Sequence, residues 1–221
     1  NQWVAIENED AGNDNEPDEF WYYFQANGKA LKGPEDNKVA LKSVNGKKYA
    51  FTSEGKMLYG WVAADDATII NDDDDAWQRG DYYFGDQNDG AMTVGLRLLD
   101  ITDDGATGDS DGNKYSQTAF NDDEDQSRWF YFKSNGKKQT ASTGDTELKQ
   151  KTINGKKYAF DQYGRMIAEW ASDMDKVATA NIGSQGNAEW SQSWMYFNSV
   201  EDGARVTKGW FKVVPAEGLN Q

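Results

Sequence analysis

The sequence contains no cysteine and no histidine. These absences exclude disulfides, thiolate and imidazole catalysis, and the usual ligands of zinc and copper. Basic residues are scarce as well, with Lys+Arg 23 against Asp+Glu 38 and a net charge of −15. Because nucleic acid and anionic lipid are bound through basic groups, neither is an expected partner, whereas a cationic or neutral ligand is compatible with this surface.

Long apolar runs are missing too, and none approaches the roughly 20 residues that a membrane helix requires. The chain starts without an initiator methionine or a signal peptide, so we expect it to be part of a longer protein. What the chain does have is rings, since 14% of its residues are aromatic, including nine Trp. We therefore expect a core built largely from aromatic side chains.

One stretch occurs twice, as "VNGKKYAFTSEGKMLYGW" at 44–61 and "INGKKYAFDQYGRMIAEW" at 153–170, with ten of eighteen letters identical. Around it runs a wider pattern, in which a Phe that ends an aromatic run is followed by a glycine after 4, 4, 6, 4, 4 and 6 residues. The pairs are Phe24 and Gly28, Phe51 and Gly55, Phe84 and Gly90, Phe132 and Gly136, Phe160 and Gly164, and Phe197 and Gly203. The pattern predicts six hairpins in two rounds of three.

Ring-rich runs such as "WYYF" (21–24) favour strands, and the "NG" or "DG" pairs at 27–28, 89–90, 135–136 and 202–203 are typical of tight turns. We expect strands near 20–25, 47–52, 81–85, 128–133, 156–161 and 193–198, each followed by a turn and a second short strand. A lone hairpin is marginal in water, so the six must stack. The predicted fold is all-β, a β-hairpin repeat solenoid forming one domain over 1–221, with rounds at 18–100 and 126–213.

The repeated stretch is interpreted as an inert middle hairpin in each round. Its apolar members should be buried and its leading lysines should face outward. The residues expected to be buried are Tyr49, Phe51, Met57, Tyr158, Phe160 and Met166, and the outward ones are Lys48 and Lys157.

Long acidic inserts separate the hairpins, at 7–19, 71–75, 103–113 and 121–126. We expect them to be solvated loops. The letters "TGDSDGN" at 107–113 suggest calcium, but the EF-hand spacing with its closing Glu is absent, so solubility is the favoured explanation and no metal or cofactor is expected.

These hairpins resemble the cell-wall-binding repeats of Gram-positive surface proteins, which are choline-binding-like or glucan-binding-like. The resemblance rests on the aromatic strands, on "GKM" (55–57), "GAM" (90–92) and "GRM" (164–166), and on "GW" at 60–61 and 209–210. It implies an extracellular module, secreted or on the cell surface, which holds a cell-wall polymer such as choline-bearing teichoic acid, or a glycan. In choline-binding relatives the ligand lies between hairpins, where ring faces hold a quaternary ammonium.

The resemblance also implies candidate ligand-binding residues. The first site would use Trp3, Trp21 and Tyr23, a partial site would use Trp61 and Tyr83, and the preferred site would use Trp170, Trp194 and Tyr196. Other junctions depart from the pattern, because Pro34, Leu96 and Ser142 stand where the closing Trp is expected.

Three functions remain open from the sequence. The leading one is a non-catalytic attachment module for choline-type or carbohydrate ligands, and the alternative is a ligand-free spacer of a surface adhesin or enzyme. An enzyme is disfavoured, because the carboxylates lie mainly in hydrated polar runs, and no phosphate loop or nucleophile elbow is present. The identity of the ligand, the attached parent domain and the oligomeric state are not determined by the sequence.

Overall fold

The computed structural model describes residues 1–13, 16–71, 73–102, 115–117, 126–141, 148–173 and 194–213. Throughout this part of the chain the fold is all-β, with a single four-residue helix, as predicted. The elements are β1 (Gln2–Glu7), β2 (Glu19–Phe24), β3 (Lys42–Val44), β4 (Lys47–Tyr49), β5 (Gly60–Ala63), β6 (Asp66–Ile69), α1 (Ala76–Arg79), β7 (Tyr82–Asp86), β8 (Asp89–Met92), β9 (Gly95–Ile101), β10 (Tyr115–Gln117), β11 (Gln126–Phe132), β12 (Gln150–Ile153), β13 (Lys156–Ala159), β14 (Glu169–Asp173) and β15 (Trp194–Phe197). In the described residues no helix is long and apolar enough to cross a membrane.

Each ring-rich strand pairs with a strand that precedes it in the chain. The pairs are β1 with β2, β3 with β4, β5 with β7, β9 with β11, β12 with β13, and β14 with β15. After the turn glycine only an isolated bridge is formed, such as Phe51 with Met57, except in the third hairpin, where β8 forms. The expectation of a second short strand after every turn was therefore wrong.

The turns after Phe24, Phe51, Phe132 and Phe160 share one hydrogen-bond pattern. The residue after the Phe accepts from the glycine N–H three positions on and donates to the carbonyl four positions on, at 2.8–3.1 Å. We call the second residue after the glycine the Gly+2 position. Its N–H is used by the preceding hairpin, since Met57 donates to the carbonyl of Trp21 at 2.8 Å. That bond leaves the Gly+2 residue unable to extend an ordinary ladder.

A second type of turn escaped the sequence interpretation. Asn45 and Gly46 join β3 to β4 with φ of 49° and 82°, and Asn154 and Gly155 join β12 to β13 with φ of 49° and 80°. Two consecutive positive φ values characterise the type I′ turn that matches strand twist. The repeated stretch thus starts with its own tight hairpin, encoded by its "NG" letters.

The chain forms two compact units, Asn1–Gly95 with Phe132–Lys138, and Leu96–Tyr131 with Gln139–Gln221. Each unit contains an aromatic cluster of matching composition. In the first unit the cluster comprises Tyr23, Val44, Tyr49, Phe51 and Met57, with Trp3, Trp21, Leu31 and Ala91 against it. In the second unit it comprises Ile153, Tyr158, Phe160 and Met166, with Leu96, Trp129, Tyr131 and Ala204 against it.

The predicted burial of the repeated stretch is confirmed. The six apolar residues named above are at most 7% exposed, and Lys48 and Lys157 are exposed. The solenoid order and the boundaries of the two rounds stay predictions.

The acidic inserts are described in part. Asn71, in the second insert, accepts the Trp61 N–H at 2.7 Å, and Asp73 and Asp75 bind Arg79 of α1. The possible calcium motif at 107–113 lies outside the described residues, and no group of acidic side chains suited to a metal ion occurs among those that are described.

Candidate functional site

Strand pairing places a closing Trp directly opposite a Tyr at three junctions. Trp3 faces Tyr23, Trp61 faces Tyr83, and Trp170 faces Tyr196, and the ring centroids are 5.1, 5.1 and 5.0 Å apart. All three pairs are edge-on, with interplanar angles between 63° and 73°. This geometry follows from the antiparallel register, because directly opposed side chains lie about 5 Å apart. It is also an arrangement that ring quadrupoles favour.

The first junction opens into a cavity of about 260 Å³. Its lining is Trp3, Trp21, Tyr49, Met57, Asn88 and Asp89. Trp3 is central to the wall, because its ring contacts Tyr49 at 4.9 Å as well as Tyr23. Trp21 is anchored by its indole Nε1, which donates to Asn88 Oδ1 at 3.3 Å. Three hairpins therefore contribute to one aromatic cavity.

An ion pair lies at the opening of this cavity. Asp89 lines the opening and pairs with exposed Lys47 at 2.9 Å, an ion pair that raises the pKa of Lys47. Burial raises the pKa of the Tyr49 phenol, and the Asp89 carboxylate adds to the effect, so this ring stays neutral at physiological pH.

The second unit repeats part of this arrangement. Trp129, Tyr158 and Met166 correspond to Trp21, Tyr49 and Met57, and the ion pair of Lys156 with Asp202 at 3.4 Å corresponds to that of Lys47 with Asp89. Leu96, however, packs where the first unit has Trp3. Leucine fills space but presents no ring face, so this cluster lacks one wall of an aromatic cage.

The junction of Trp61 is occupied by the chain itself. Trp61 is 5% exposed and also contacts Phe132 at 6.0 Å. The Lys138 Nζ lies 5.1 Å from the centroid of the Trp61 ring, and this lysine is only 6% exposed. A ring pair predicted as a partial ligand site thus already has an ammonium group against it.

At the junction preferred from the sequence, β14 and β15 lie side by side, and Trp170 meets Tyr196. The side chain of Trp194 and most of the intervening segment lie outside the described residues. The three-ring arrangement at this junction stays a prediction.

Sequence reasoning missed Tyr49, Met57, Asn88 and Asp89 as lining residues, and it missed Lys138. The interpretation of the repeated stretch as an inert hairpin did not anticipate that two of its buried side chains line the cavity. The signal was present at the Gly+2 position, which reads Met57 in "GKM" but Lys138 in "GKK".

The chain was compared with protein families, curated proteins and solved structures. No protein-family model matches the chain. A glucosyltransferase-S of Streptococcus mutans is 25% identical over 179 residues, covering 66% of this chain and 11% of the relative.

Two of the solved structures to which the chain is similar come from Streptococcus pneumoniae. Choline binding protein F, studied in the presence of a peptidoglycan analogue, matches at 23% identity and a TM-score of 0.44 over 85% of this chain and 38% of that one. The autolysin LytC, in complex with a synthetic peptidoglycan ligand, matches at 18% identity and a TM-score of 0.39, over 85% and 26%. The chain therefore spans less than half the length of each of these proteins. The chain is thus similar over part of its length to a glucosyltransferase and to a choline binding protein, in line with the resemblance that the hairpin motif indicated.

Proposed function

We propose that the chain is a non-catalytic attachment module that holds a choline-type or carbohydrate ligand of the cell wall between its hairpins, outside the cell. The observation that carries the proposal is the cavity of Trp3, Trp21, Tyr49 and Met57. An apolar cavity of roughly 150 Å³ accommodates benzene. About 260 Å³ therefore has room for a trimethylammonium group or for part of a sugar ring.

The choice between the two ligand classes follows from charge. Ring faces attract a quaternary ammonium, and they also stack on the apolar face of a sugar. The net charge of −15 adds attraction for a cation only. A choline-type ligand is the first candidate for this reason. A glucan is the second, because the chain is similar to part of a glucosyltransferase.

Two sites are proposed. The first is the Trp3 cavity, and the second is the one preferred from the sequence, with Trp170, Trp194 and Tyr196 as walls. A desolvated cation–π contact contributes on the order of 2 kcal/mol, so each wall residue should matter measurably.

The test is calorimetric titration of the chain with choline chloride and, separately, with soluble glucan oligosaccharides. Trp21→Leu should weaken binding at the first site by about tenfold or more, and Trp170→Leu should do the same at the second. The matched control is Trp129→Leu, because its cluster already has Leu96 in place of a Trp and should lose little. No saturable heat from the parent would leave the ligand-free spacer as the function, and equal losses in all three variants would mean that neither proposed site specifically holds the ligand.

A further inference from the structure

Lys138 is the Gly+2 residue of the fourth hairpin, and its counterpart in the second hairpin, Met57, lines the Trp3 cavity. The Met57 and Met166 N–H groups donate to the carbonyls of Trp21 and Trp129, and the Lys138 N–H donates to the carbonyl of Asp81 at 2.6 Å. In each case the acceptor lies three residues before the Phe of the preceding hairpin. Lys138 is therefore the positional counterpart of Met57, which lines the first cavity.

The Lys138 side chain is directed inward and is held by several groups. Its Nζ lies over the Trp61 ring and donates to the carbonyls of Trp77 and of Gln78, the latter at 3.2 Å. Both carbonyls belong to the short helix α1. A buried ammonium needs such acceptors to offset its lost hydration.

We propose that Lys138 is an internal ligand of the Trp61 site: its ammonium takes the place that an external cation would take between Trp61, Tyr83 and Phe132. A group tethered by its own chain acts at an effective concentration on the order of millimolar or more, without the entropy cost of association. An external cation would have to displace it. The short helix α1 has, in this interpretation, the role of fixing that internal ligand.

The inference uses the cation affinity assumed in the proposed function, but it concerns a different site and can fail separately. The experiment is calorimetric titration of the parent chain, Lys138→Met and Lys138→Gln with tetramethylammonium chloride and choline chloride. Met is the residue at the Gly+2 position of the second and fifth hairpins, and Gln keeps a donor for the α1 carbonyls without a charge. Each variant should bind one more cation per chain than the parent, and adding Trp61→Leu to either should abolish the extra site.

A second measurement needs no ligand. In the parent chain the Lys138 ε-methylene protons should resonate upfield in the NMR spectrum, since they lie against an indole face, and Trp61→Leu should return them toward the usual lysine position. A parent that binds no cation, combined with a Lys138 variant that binds one, would refute the Trp3 site and support the internal ligand. Unchanged stoichiometry in both folded variants, or an unshifted ε-methylene signal, would overturn the internal ligand whatever the parent binds.

Discussion

At the residue scale, the Gly+2 position shows how one backbone slot carries different chemistry. The slot is held by the same hydrogen bond to the preceding hairpin in Met57, Lys138 and Met166. The side-chain atoms beyond the Cβ then decide whether the residue lines a cavity or fills the space beside a ring. A thioether forms part of a cavity wall beside Trp3, whereas an ammonium reaches the ring of Trp61 itself.

Glu169 gives a pH prediction. Burial raises its pKa, with a further contribution from the Glu201 carboxylate. A raised folded-state pKa means that the protonated form suits the fold, so stability is intact below the ordinary Glu pKa and is lost as pH rises through the raised one. Glu169→Gln should therefore melt at a higher temperature than the parent near neutral pH, and the gap should close in acid. A gap that does not change between about pH 3 and pH 8 would contradict this.

The buried pair of Asp161 and Arg165 gives a second prediction. Both side chains are fully buried, and Arg165 Nε donates to Asp161 Oδ2 at 2.7 Å. The first unit has Thr52 and Lys56 at the same places, where the Thr52 hydroxyl accepts the Lys56 N–H at 3.1 Å. Asp161→Thr alone should cost about 3–5 kcal/mol, because it removes the carboxylate to which a fully buried guanidinium is bonded.

The control for that prediction is the double variant Asp161→Thr with Arg165→Lys, which installs the pair of the first unit. It should recover most of the lost free energy of unfolding in urea titrations, since the lysine stem is able to carry its charge outward. Equal losses in the single and double variants would show that the buried positive charge left by Asp161→Thr is not the cause of the loss.

At the element scale, Gly46 and Gly90 are both required in their turns, but for different physical reasons. Gly46 has a φ of 82° with open space around an added Cβ, so Gly46→Ala should cost about 1–2 kcal/mol through backbone strain alone. Asn tolerates positive φ, and Gly46→Asn should cost less. Gly90 is not in the left-handed region, but its Cβ would lie 2.5 Å from the Leu58 carbonyl oxygen.

Gly90→Ala should therefore destabilise by collision, and Gly90→Asn should bring no relief. Urea unfolding of the four variants provides the comparison. If the Ala variant were less stable than the Asn variant at both positions, one cause would act at both turns.

At the scale of the whole molecule, the net charge of −15 predicts how binding depends on salt. The diffuse negative field attracts a cation over about a Debye length, which shortens from about 30 Å at 0.01 M salt to about 8 Å at 0.15 M. Choline affinity should therefore fall as sodium chloride rises, and glucan affinity should stay constant. Calorimetric titration at both salt concentrations tests this, with sodium chloride replacing choline chloride as the blank. A choline affinity that is the same at both salt concentrations would mean that the ring faces alone attract the ligand.

The sequence by itself determined the all-β class, the spacing of the turns and which residues of the repeated stretch are buried. These are local properties: a Phe followed by a glycine four residues later fits a turn wherever it occurs, and Tyr49 and Tyr158 alternate with lysines at the strand period of two. The opposed pairs of Trp and Tyr were accessible for the same reason, since the register of neighbouring strands follows from the pattern of their side chains.

Only the tertiary structure decided which rings share a cavity. Tyr49, Met57 and Asn88 reach Trp3 and Trp21 from later hairpins, and no periodicity within one hairpin encodes that approach. It depends on which backbone N–H groups of one hairpin meet carbonyls of the hairpin before it. The same kind of contact brings Lys138 to Trp61, which lies more than seventy residues earlier in the chain. The sequence pattern around Lys138 shows only a lysine in a polar turn, for which solvent exposure would be expected.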